Sequence, residues 1–343
     1  MKIVAAMSVA ALALAACGSS ADSTPGADGK ASNGNALKVG MAYDVGGRGD
    51  QSFNDAAAAG LDKAKAQLGA DTKEATAAQG EAESVREERL QQLVDAGYTT
   101  VVAVGFAYAP AVKKIAAANP DARFALIDST DATGPNIESL TFAEQEGSFL
   151  VGAAAALKSR TGHVGFVGGV NVDLIKKFEA GYIMGAKAVN PAIKIDIKYL
   201  TQPPDFSGFG DPAKGKTAAE GMYQQGADVV YHAAGGSGIG VFTAAAAAGK
   251  MAIGVDSDQA LTAQAAVKDV IITSMVKRVD IATFDFIKSL SEGKFTAGTK
   301  VFDLKAGGVA YSTTGGKVED IKVKLDDFKK QIIDGKIVVP TKP

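Results

Sequence analysis

The sequence predicts an α/β protein with two Rossmann-like lobes, and three observations lead to that class. A chain of 343 residues is long enough for two domains of ordinary size. Its composition, 47% apolar and 22% charged residues, is typical of a globular protein and not of a disordered chain or a multi-span membrane protein. From Leu37 onward, short runs rich in Val and Ile alternate with helical stretches, the pattern of parallel sheets with crossover helices.

The first sixteen residues have the pattern of an export signal. Lys2 supplies the positive charge of a short leader, and residues 3–16 carry no charge in a stretch too short for a membrane span of about 20 residues. The run Leu14-Ala15-Ala16-Cys17 is similar to the bacterial lipobox, in which the signal is cut before the Cys and the thiol carries a lipid. We therefore expect a signal peptide over residues 1–16 and lipidation at Cys17.

Residues 17–36 are expected to form a flexible tether. The segment from Cys17 to Asn35 contains four Gly, four Ser and one Pro, with no aromatic or branched aliphatic residue that can pack into a core. Acyl chains on Cys17 anchor a soluble domain to a bilayer. We therefore expect the mature protein on the extracytoplasmic face of a bacterial cell membrane.

The first lobe is expected over residues 37–142, completed by about residues 276–298. Its expected helices begin near Ser52, Glu81 and Pro110. The expected strands, each a short run rich in branched aliphatic residues, are 37–43, 99–104, 123–127 and 137–142.

The second lobe is expected over residues 143–275, completed by about residues 299–343. Its expected helices begin near Asp173, Pro212 and Gly238, and each is opened by a residue common at helix starts. The expected strands are 163–167, 194–200, 229–232, 251–255 and 271–275. The tail is predicted to cross back between the lobes through a helix at 279–290, a Gly-rich hairpin around 301–312 and a helix near 325–333.

Charge and composition exclude several function classes. The 36 Lys and Arg residues nearly balance 38 Asp and Glu, so the chain has no basic field to drive nucleic-acid binding. One Cys cannot form an internal disulfide, and two His without a Cys partner do not make a structural zinc site. We expect no nucleic-acid partner and no metal.

Two α/β lobes predict a ligand cleft at the carboxyl ends of their strands, where unusual residues follow. Asp44 begins a Gly-rich loop that ends with Asp50 and Ser52, either of which can cap the next helix. Phe53 and Asn54 then fall in the first helical turn. They form either a core staple or an apolar face and an amide aimed at a ring-shaped ligand, and the Gly-rich approach favours the ligand.

Two further stretches leave alternatives open. Asp128 directly follows a buried strand, so it either turns the chain or accepts a hydrogen bond from a ring N–H. The breaker-rich loop from Pro203 to Pro212 carries Phe206 and Phe209. These rings either cover the hydrophobic edge of the lobe, or one of them closes over a ligand.

Glycines near Gly235 and the carboxylate of Asp256 partly mimic a dinucleotide-binding fingerprint. The spacing G-x-G-x-G departs from G-x-G-x-x-G, so no cofactor is expected. The smaller inference is that Asp256 accepts both hydrogens of a vicinal diol. Lys277, at the end of the next strand, can donate to the same hydroxyls.

Several of these motifs, in this order, resemble the basic membrane protein (BMP) family of lipoproteins. They are the lipobox, GGRGDQSFN at 46–54, ALID at 125–128, FEAGY at 178–182, DPAKGK at 211–216, HAAGGSG at 232–238 and GVDSDQ at 254–259. The resemblance covers nearly the whole mature chain. It implies a type I periplasmic-binding-protein fold with a hinge, and a monomeric, non-enzymatic receptor that delivers nucleosides, purine nucleosides above all, to the permease of an ABC transporter.

The resemblance also implies a role for each candidate residue. Phe53 and Phe209 would sandwich the base, although the preceding Pro-Pro and extra Phe leave Phe206 as an alternative. Asn54 and Asp128 would read the base edge; Gly235, Asp256 and Lys277 would hold the ribose, and Asp44 and Ser52 are possible loop contacts. A simple sugar receptor of the same fold and an exported nucleoside hydrolase remain as alternatives.

Overall fold

The structure, a computed structural model, describes residues 36–343. The predicted signal peptide, the lipidation at Cys17 and nearly all of the tether lie outside the described residues. The strands are β1 (Lys38–Tyr43), β2 (Asp71–Thr76), β3 (Thr100–Ala103), β4 (Arg123–Ile127), β5 (Ile137–Phe142), β6 (His163–Val170), β7 (Lys194–Thr201), β8 (Val229–Ala233), β9 (Met251–Asp256), β10 (Ile271–Lys277), β11 (Gly298–Phe302) and β12 (Val309–Tyr311).

These strands form two sheets of six, as the predicted α/β class with two lobes requires. Sheet 1 has the order β11-β5-β4-β3-β1-β2, and all of its strands are parallel. Sheet 2 has the order β12-β10-β9-β8-β6-β7 and is parallel except for β12. This arrangement is that of a type I periplasmic-binding protein, so the predicted fold class is confirmed.

Eleven α-helices and five short 3₁₀ helices among the described residues accompany the strands. The α-helices are α1 (Phe53–Leu68), α2 (Glu83–Asp95), α3 (Ala109–Ala118), α4 (Glu144–Lys158), α5 (Asp173–Val189), α6 (Pro212–Gln224), α7 (Gly238–Ala248), α8 (Gln259–Thr262), α9 (Ala265–Lys268), α10 (Val279–Ser291) and α11 (Lys322–Ile333). None of the helices in residues 36–343 has the length and apolar content to cross a bilayer.

The helix α4 was not among the predicted elements, and it packs closely against α5. A Cβ atom added at Gly181 would lie 2.1 Å from the backbone oxygen of Gln145, and one at Gly185 would lie 1.9 Å from that of Phe149. Only Gly allows the two helix backbones to approach to this distance. The contact fixes the first turn of α4 against α5.

The edge strand β2 was also missed. Its sequence, DTKEAT, is polar and mostly exposed, so it lacks the apolar run by which the other strands of the sheet are recognised.

The predicted hairpin around residues 301–312 is wrong. The strand β11 pairs in parallel with β5 in sheet 1, whereas β12 pairs antiparallel with β10 in sheet 2. The Gly-rich segment between them therefore joins the two sheets. The pairing of β11 with β5 runs from Gly298 to Phe302.

Candidate functional site

One cavity lies where the carboxyl ends of the two sheets face each other. The space between its wall atoms, counted out to the open mouth and including open solvent there, is about 560 Å³. The cavity wall includes most of the predicted site residues: Asp44, Phe53, Asn54, Asp128, Phe209, Gly235, Asp256 and Lys277. Ser52 and Phe206 are not on the wall. Ligand contact by these residues stays a prediction.

Lys277, the last residue of β10, carries the charge at the centre of this wall. Its Nζ atom lies 2.6 Å from Asp128 Oδ2 and 3.3 Å from Glu144 Oε1. Burial by itself lowers the pKa of Lys277, but the nearby carboxylates of Asp128, Glu144 and Asp256 outweigh it, so the pKa is raised. The ammonium is therefore charged, although only 1% of its side chain is exposed.

Three aromatic rings surround this ammonium. The Nζ atom of Lys277 lies 4.9 Å from the ring centre of Phe142, 5.0 Å from that of Phe53 and 5.7 Å from that of Phe178. A cation over a ring face is attracted by the ring quadrupole, and the effect is stronger away from water. Phe53 therefore presents a ring to the cavity whose position is tied to Lys277.

Asp128 carries a buried oxygen with no partner among the described residues. It directly follows β4 and has a positive φ of 71°, which turns its carboxylate into the cavity. Oδ2 accepts from Lys277, whereas Oδ1 has no hydrogen-bond partner. Burial raises the pKa of Asp128, and the Lys277 ammonium opposes that shift. A buried carboxylate oxygen without a partner is costly, so this atom is suited to accept from a ligand N–H.

Asp256 is the last residue of β9 and also has a positive φ, of 62°. Its Oδ2 atom accepts a hydrogen bond from Ser52 Oγ at 2.8 Å. Burial raises the pKa of Asp256 to about 7, although the Lys277 ammonium and the Ser52 hydroxyl both oppose the shift. Asp256 therefore titrates near neutral pH.

Asp50, and not Ser52, caps α1. The carboxylate of Asp50 accepts from the backbone N–H groups of Ser52, Asn54 and Asp55 at 2.8 to 3.1 Å. The Ser52 side chain makes no capping bond and reaches Asp256 instead. The choice of cap that the sequence left open is settled by this division of roles.

Asn54 braces the Gly-rich loop. Its Oδ1 accepts from Asp44 N at 3.1 Å, and its Nδ2 donates to Asp50 Oδ2 at 3.1 Å and to Val45 O at 3.3 Å. Both amide hydrogens are therefore engaged, and only a lone pair on Oδ1 remains for a ligand. Asn54 lies on the cavity wall with only an acceptor free, so its contact with a ring-shaped ligand stays a prediction, with Oδ1 as the contacting atom.

The two candidate rings of the Pro-rich loop differ in position. Phe209 lines the cavity, whereas Phe206 packs edge-on against Phe106 with ring centres 5.7 Å apart. Phe106 itself lines the cavity and lies 6.4 Å from Phe209, centre to centre. Phe106 was missed from the sequence, although it follows Gly105, a glycine with a φ of 105° just after β3.

Phe178 and Glu144 were missed as well. Phe178 was noted only as part of a motif, and it lines the cavity from α5. Glu144 is the first residue of α4 and is fully buried beside Lys277. No sequence signal marks it, because a Glu at the start of an unrecognised helix looks like an ordinary surface residue.

Side-chain contacts close the cleft. Ser52, from the sheet 1 side, bonds Asp256 and accepts from Ser257 Oγ at 2.8 Å through its backbone oxygen. Gln259 Nε2 donates to Gln51 O at 2.9 Å. With the pair of Asp128 and Lys277, these contacts join the two sheets directly, so the structure describes the closed arrangement.

Comparison with known proteins identifies the family. Residues 37–342 match the family described as Bmp, ABC transporter substrate-binding protein PnrA-like. The chain is 36% identical over 346 residues to the CD4+ T-cell-stimulating antigen of Listeria innocua, covering 96% of this chain and 95% of that protein. It is 37% identical over 323 residues to the ABC transporter nucleoside-binding protein BmpA of Lactococcus lactis, covering 89% and 90%.

A solved structure supports the same family assignment. An ABC transporter solute-binding protein of Aeropyrum pernix matches with a TM-score of 0.77 and 32% identity, over 89% of this chain and 94% of that one. These matches assign a class of transport receptors and not of enzymes. The chain therefore belongs to the Bmp family of ABC transporter substrate-binding proteins, as its sequence motifs predicted.

Proposed function

We propose that this protein captures purine nucleosides in the cleft and delivers them to the permease of an ABC importer. The observation that carries the proposal is the pairing on one cavity wall of the unpartnered Asp128 Oδ1 with Asp256 and Lys277. The first group suits the N–H edge of a base, and the other two suit a vicinal diol.

The apolar part of the cavity supports a flat ligand. Phe53 begins α1 beside sheet 1, and Phe209 belongs to the loop after β7 of sheet 2, so rings from both lobes reach the same cavity. Stacking of a base on an aromatic ring contributes about 1 to 3 kcal/mol. Two such rings supply about half of the roughly 8 kcal/mol that a micromolar complex requires.

The charge of the cavity wall favours nucleosides over nucleotides. Among the described residues that line it, Asp44, Asp50, Asp128 and Asp256 are acidic, and Lys277 alone is basic and already engaged by carboxylates. A phosphate group would add negative charge to this set. We therefore expect nucleoside monophosphates and triphosphates to bind more weakly than the parent nucleosides.

The names of two relatives support the proposed ligand and the proposed location at the cell membrane. The Lactococcus lactis relative is named as a nucleoside-binding protein, and a relative from Pyrococcus abyssi, 36% identical over 286 residues, is named as a lipoprotein. Cys17 lies outside the described residues. We propose that it carries the lipid anchor that holds the receptor at the outer face of the cell membrane, next to its permease.

Isothermal titration calorimetry of the purified mature protein tests the function. Adenosine, inosine, adenosine monophosphate and ribose are titrated in parallel, and the heat of each is compared. We expect the two nucleosides to bind with a Kd of about 1 μM or below, and the nucleotide and ribose to bind at least about 10-fold more weakly.

Each result that would contradict the proposed function points to a different alternative. Tighter binding of ribose than of either nucleoside would establish a sugar receptor, and tighter binding of the nucleotide would contradict the charge argument. Release of hypoxanthine from inosine during incubation would point to a hydrolase. Mass spectrometry of ligand extracted from the freshly purified protein identifies the bound base directly.

A further inference from the structure

We propose that Glu144 is a positioning residue of the binding site, which holds the Lys277 ammonium in place when the lobes are apart and when a ligand engages Asp128. The inference rests on the proposed function, because a nucleoside supplies the hydroxyl that Lys277 would bind. Glu144 is not on the cavity wall, so it acts through Lys277 and does not touch the ligand.

Lys277 needs a permanent counter-ion because its charge is fully buried. An uncompensated ammonium in such a place is strongly unfavourable. Two carboxylates contact its Nζ atom: Asp128 at 2.6 Å and Glu144 at 3.3 Å. Asp128 lines the cavity and faces the ligand, whereas Glu144 lies behind the lysine.

The two counter-ions belong to different sides of the cleft. Asp128 follows β4 of sheet 1, and Lys277 ends β10 of sheet 2. Glu144 begins α4, a helix that packs on α5 and β10. Separation of the sheets therefore breaks the pair of Asp128 and Lys277 and leaves that of Glu144 and Lys277 intact.

Glu144 is itself fixed from several directions. Its Oε2 atom accepts from Lys177 Nζ at 3.0 Å, and the same ammonium donates to Phe142 O at 3.3 Å. The helix N-terminus at which it lies favours a carboxylate. The close approach of α4 and α5 at Gly181 allows this turn little movement. Glu144 thus directs one oxygen to each of two lysines.

This arrangement leaves Asp128 Oδ1 and lysine N–H groups for the ligand. An ammonium has three donors, and one of them is donated to Asp128 Oδ2. Glu144 Oε1 lies 3.3 Å from the same Nζ atom as an ion-pair partner without a hydrogen bond, so a donor remains for a ligand hydroxyl. Because Glu144 remains beside Lys277, a ligand N–H can draw on the Asp128 carboxylate without leaving the lysine uncompensated.

The test compares Glu144→Gln with the wild type by calorimetry with adenosine. The amide keeps the shape of the side chain and removes its charge. We expect the Kd to rise at least about 10-fold, equivalent to about 1.4 kcal/mol. Glu146→Gln is the matched control, because Glu146 lies on the same helix and bonds the backbone of Leu304 instead of Lys277. The control should stay within about 2-fold of the wild type.

A double-mutant cycle with Lys277→Met separates positioning from structural damage. If Glu144 acts through Lys277, the double variant Glu144→Gln/Lys277→Met binds adenosine within about 2-fold of Lys277→Met alone. Losses that multiply would show that Glu144 acts on the fold and would overturn the inference. An unchanged Kd for Glu144→Gln would overturn it as well.

A replacement variant and the wild-type titration separate failure of this inference from failure of the fold or of the proposed function. If circular dichroism shows that Glu144→Gln does not fold, the variant Glu144→Gln/Lys177→Gln takes its place with the same expectation, because it also removes the facing ammonium and leaves the net charge unchanged. The wild-type titration tests the function separately. Wild-type protein that binds no nucleoside refutes both proposals, whereas binding that Glu144→Gln leaves intact refutes only this one.

Discussion

The Ser52 hydroxyl donates a hydrogen bond of 2.8 Å to the Asp256 carboxylate across the cleft between the two sheets. One partner comes from the loop after β1 and the other from the end of β9. The carboxylate that we propose as the acceptor of the ligand diol is therefore also a contact between the lobes. We expect closure and ligand binding to depend on the same residue.

Ser52→Ala removes the bond across the cleft but no ring and no charge. A hydrogen bond to a charged group contributes about 1.5 to 3 kcal/mol, and water partly replaces it in the open state. We expect the Kd for adenosine to rise about 5-fold to 20-fold in calorimetry, with little change in melting temperature. Ser289→Ala, which removes a bond to Phe286 O remote from the cleft, is the control. Equal affinities for the two variants would contradict the closing role of Ser52.

The raised pKa of Asp256 predicts a pH dependence of binding. Its value of about 7 is set by burial, with Lys277 and Ser52 opposing the shift and Asp128 and Asp50 adding to it. An ionised carboxylate accepts both diol hydrogens, so nucleoside affinity should rise from about pH 6 to about pH 8. Burial raises the pKa of Asp44 to about 6, so its ionisation adds a second change in nucleoside affinity at lower pH. Asp256→Asn should remove the rise in affinity near neutral pH and leave the change due to Asp44. A wild-type profile that Asp256→Asn does not alter would contradict this assignment.

The raised pKa of Asp256 also predicts that the free energy of unfolding changes with pH, in the direction opposite to the nucleoside affinity. The folded protein holds a proton on Asp256 over a range, from about pH 4 to about pH 7, in which the unfolded chain has released it. The contribution of this group to the free energy of unfolding therefore falls as pH rises through that range, by up to about 1.4 kcal/mol per pH unit. Urea unfolding of Asp256→Asn without ligand should show a weaker fall than the wild type. An identical slope in both proteins would exclude a raised pKa.

The two rings of the Pro-rich loop should respond differently to truncation. Phe209 lines the cavity, so Phe209→Ala should weaken adenosine binding at least about 10-fold through the loss of one stacking face. Phe206 packs on Phe106 and is not on the cavity wall, so Phe206→Ala should raise the Kd for adenosine by less than about 3-fold. Tryptophan is absent from the chain, so tyrosine fluorescence adds little and calorimetry is the suitable measurement. The reverse order would move the stacking role to Phe206.

The helix contact beneath the site gives a stability prediction with a matched control. Gly185→Ala places a methyl group 1.9 Å from the Phe149 backbone oxygen and should lower the free energy of unfolding by about 1 to 3 kcal/mol. Gly221, inside α6, has nothing within 4 Å of an added Cβ. Gly221→Ala should therefore leave stability unchanged or raise it by up to about 1 kcal/mol. Denaturant unfolding of both variants checks the difference, and equal effects would contradict the close packing of α4 on α5.

The sequence predicted the parts of this fold that have strong local patterns. The strands that end at Tyr43, Ile127 and Asp256 are short apolar runs bounded by breakers, and their carboxyl ends brought the candidate residues to one edge. The polar edge strand β2 and the small-residue helix α4 lack such patterns. They form because sheet pairing and helix packing, which depend on distant residues, override local preference.

The site shows the same division. Phe53, Asp128 and Lys277 could be selected because each is chemically conspicuous at the end of a predicted strand or the start of a predicted helix. Glu144 could not, since its role depends on two lysines that lie 33 and 133 positions away along the chain. The use of both Asn54 donors within the loop was likewise invisible, because hydrogen-bond saturation is a property of the folded loop.

A crystal structure of the mature protein with adenosine bound shows directly which residues hold the ligand. We expect the purine ring between Phe53 and Phe209, an N–H of the base on Asp128 Oδ1, and the ribose hydroxyls on Asp256 and Lys277. A cleft that stays empty at saturating adenosine, or a ribose directed away from Asp256, would contradict this expectation.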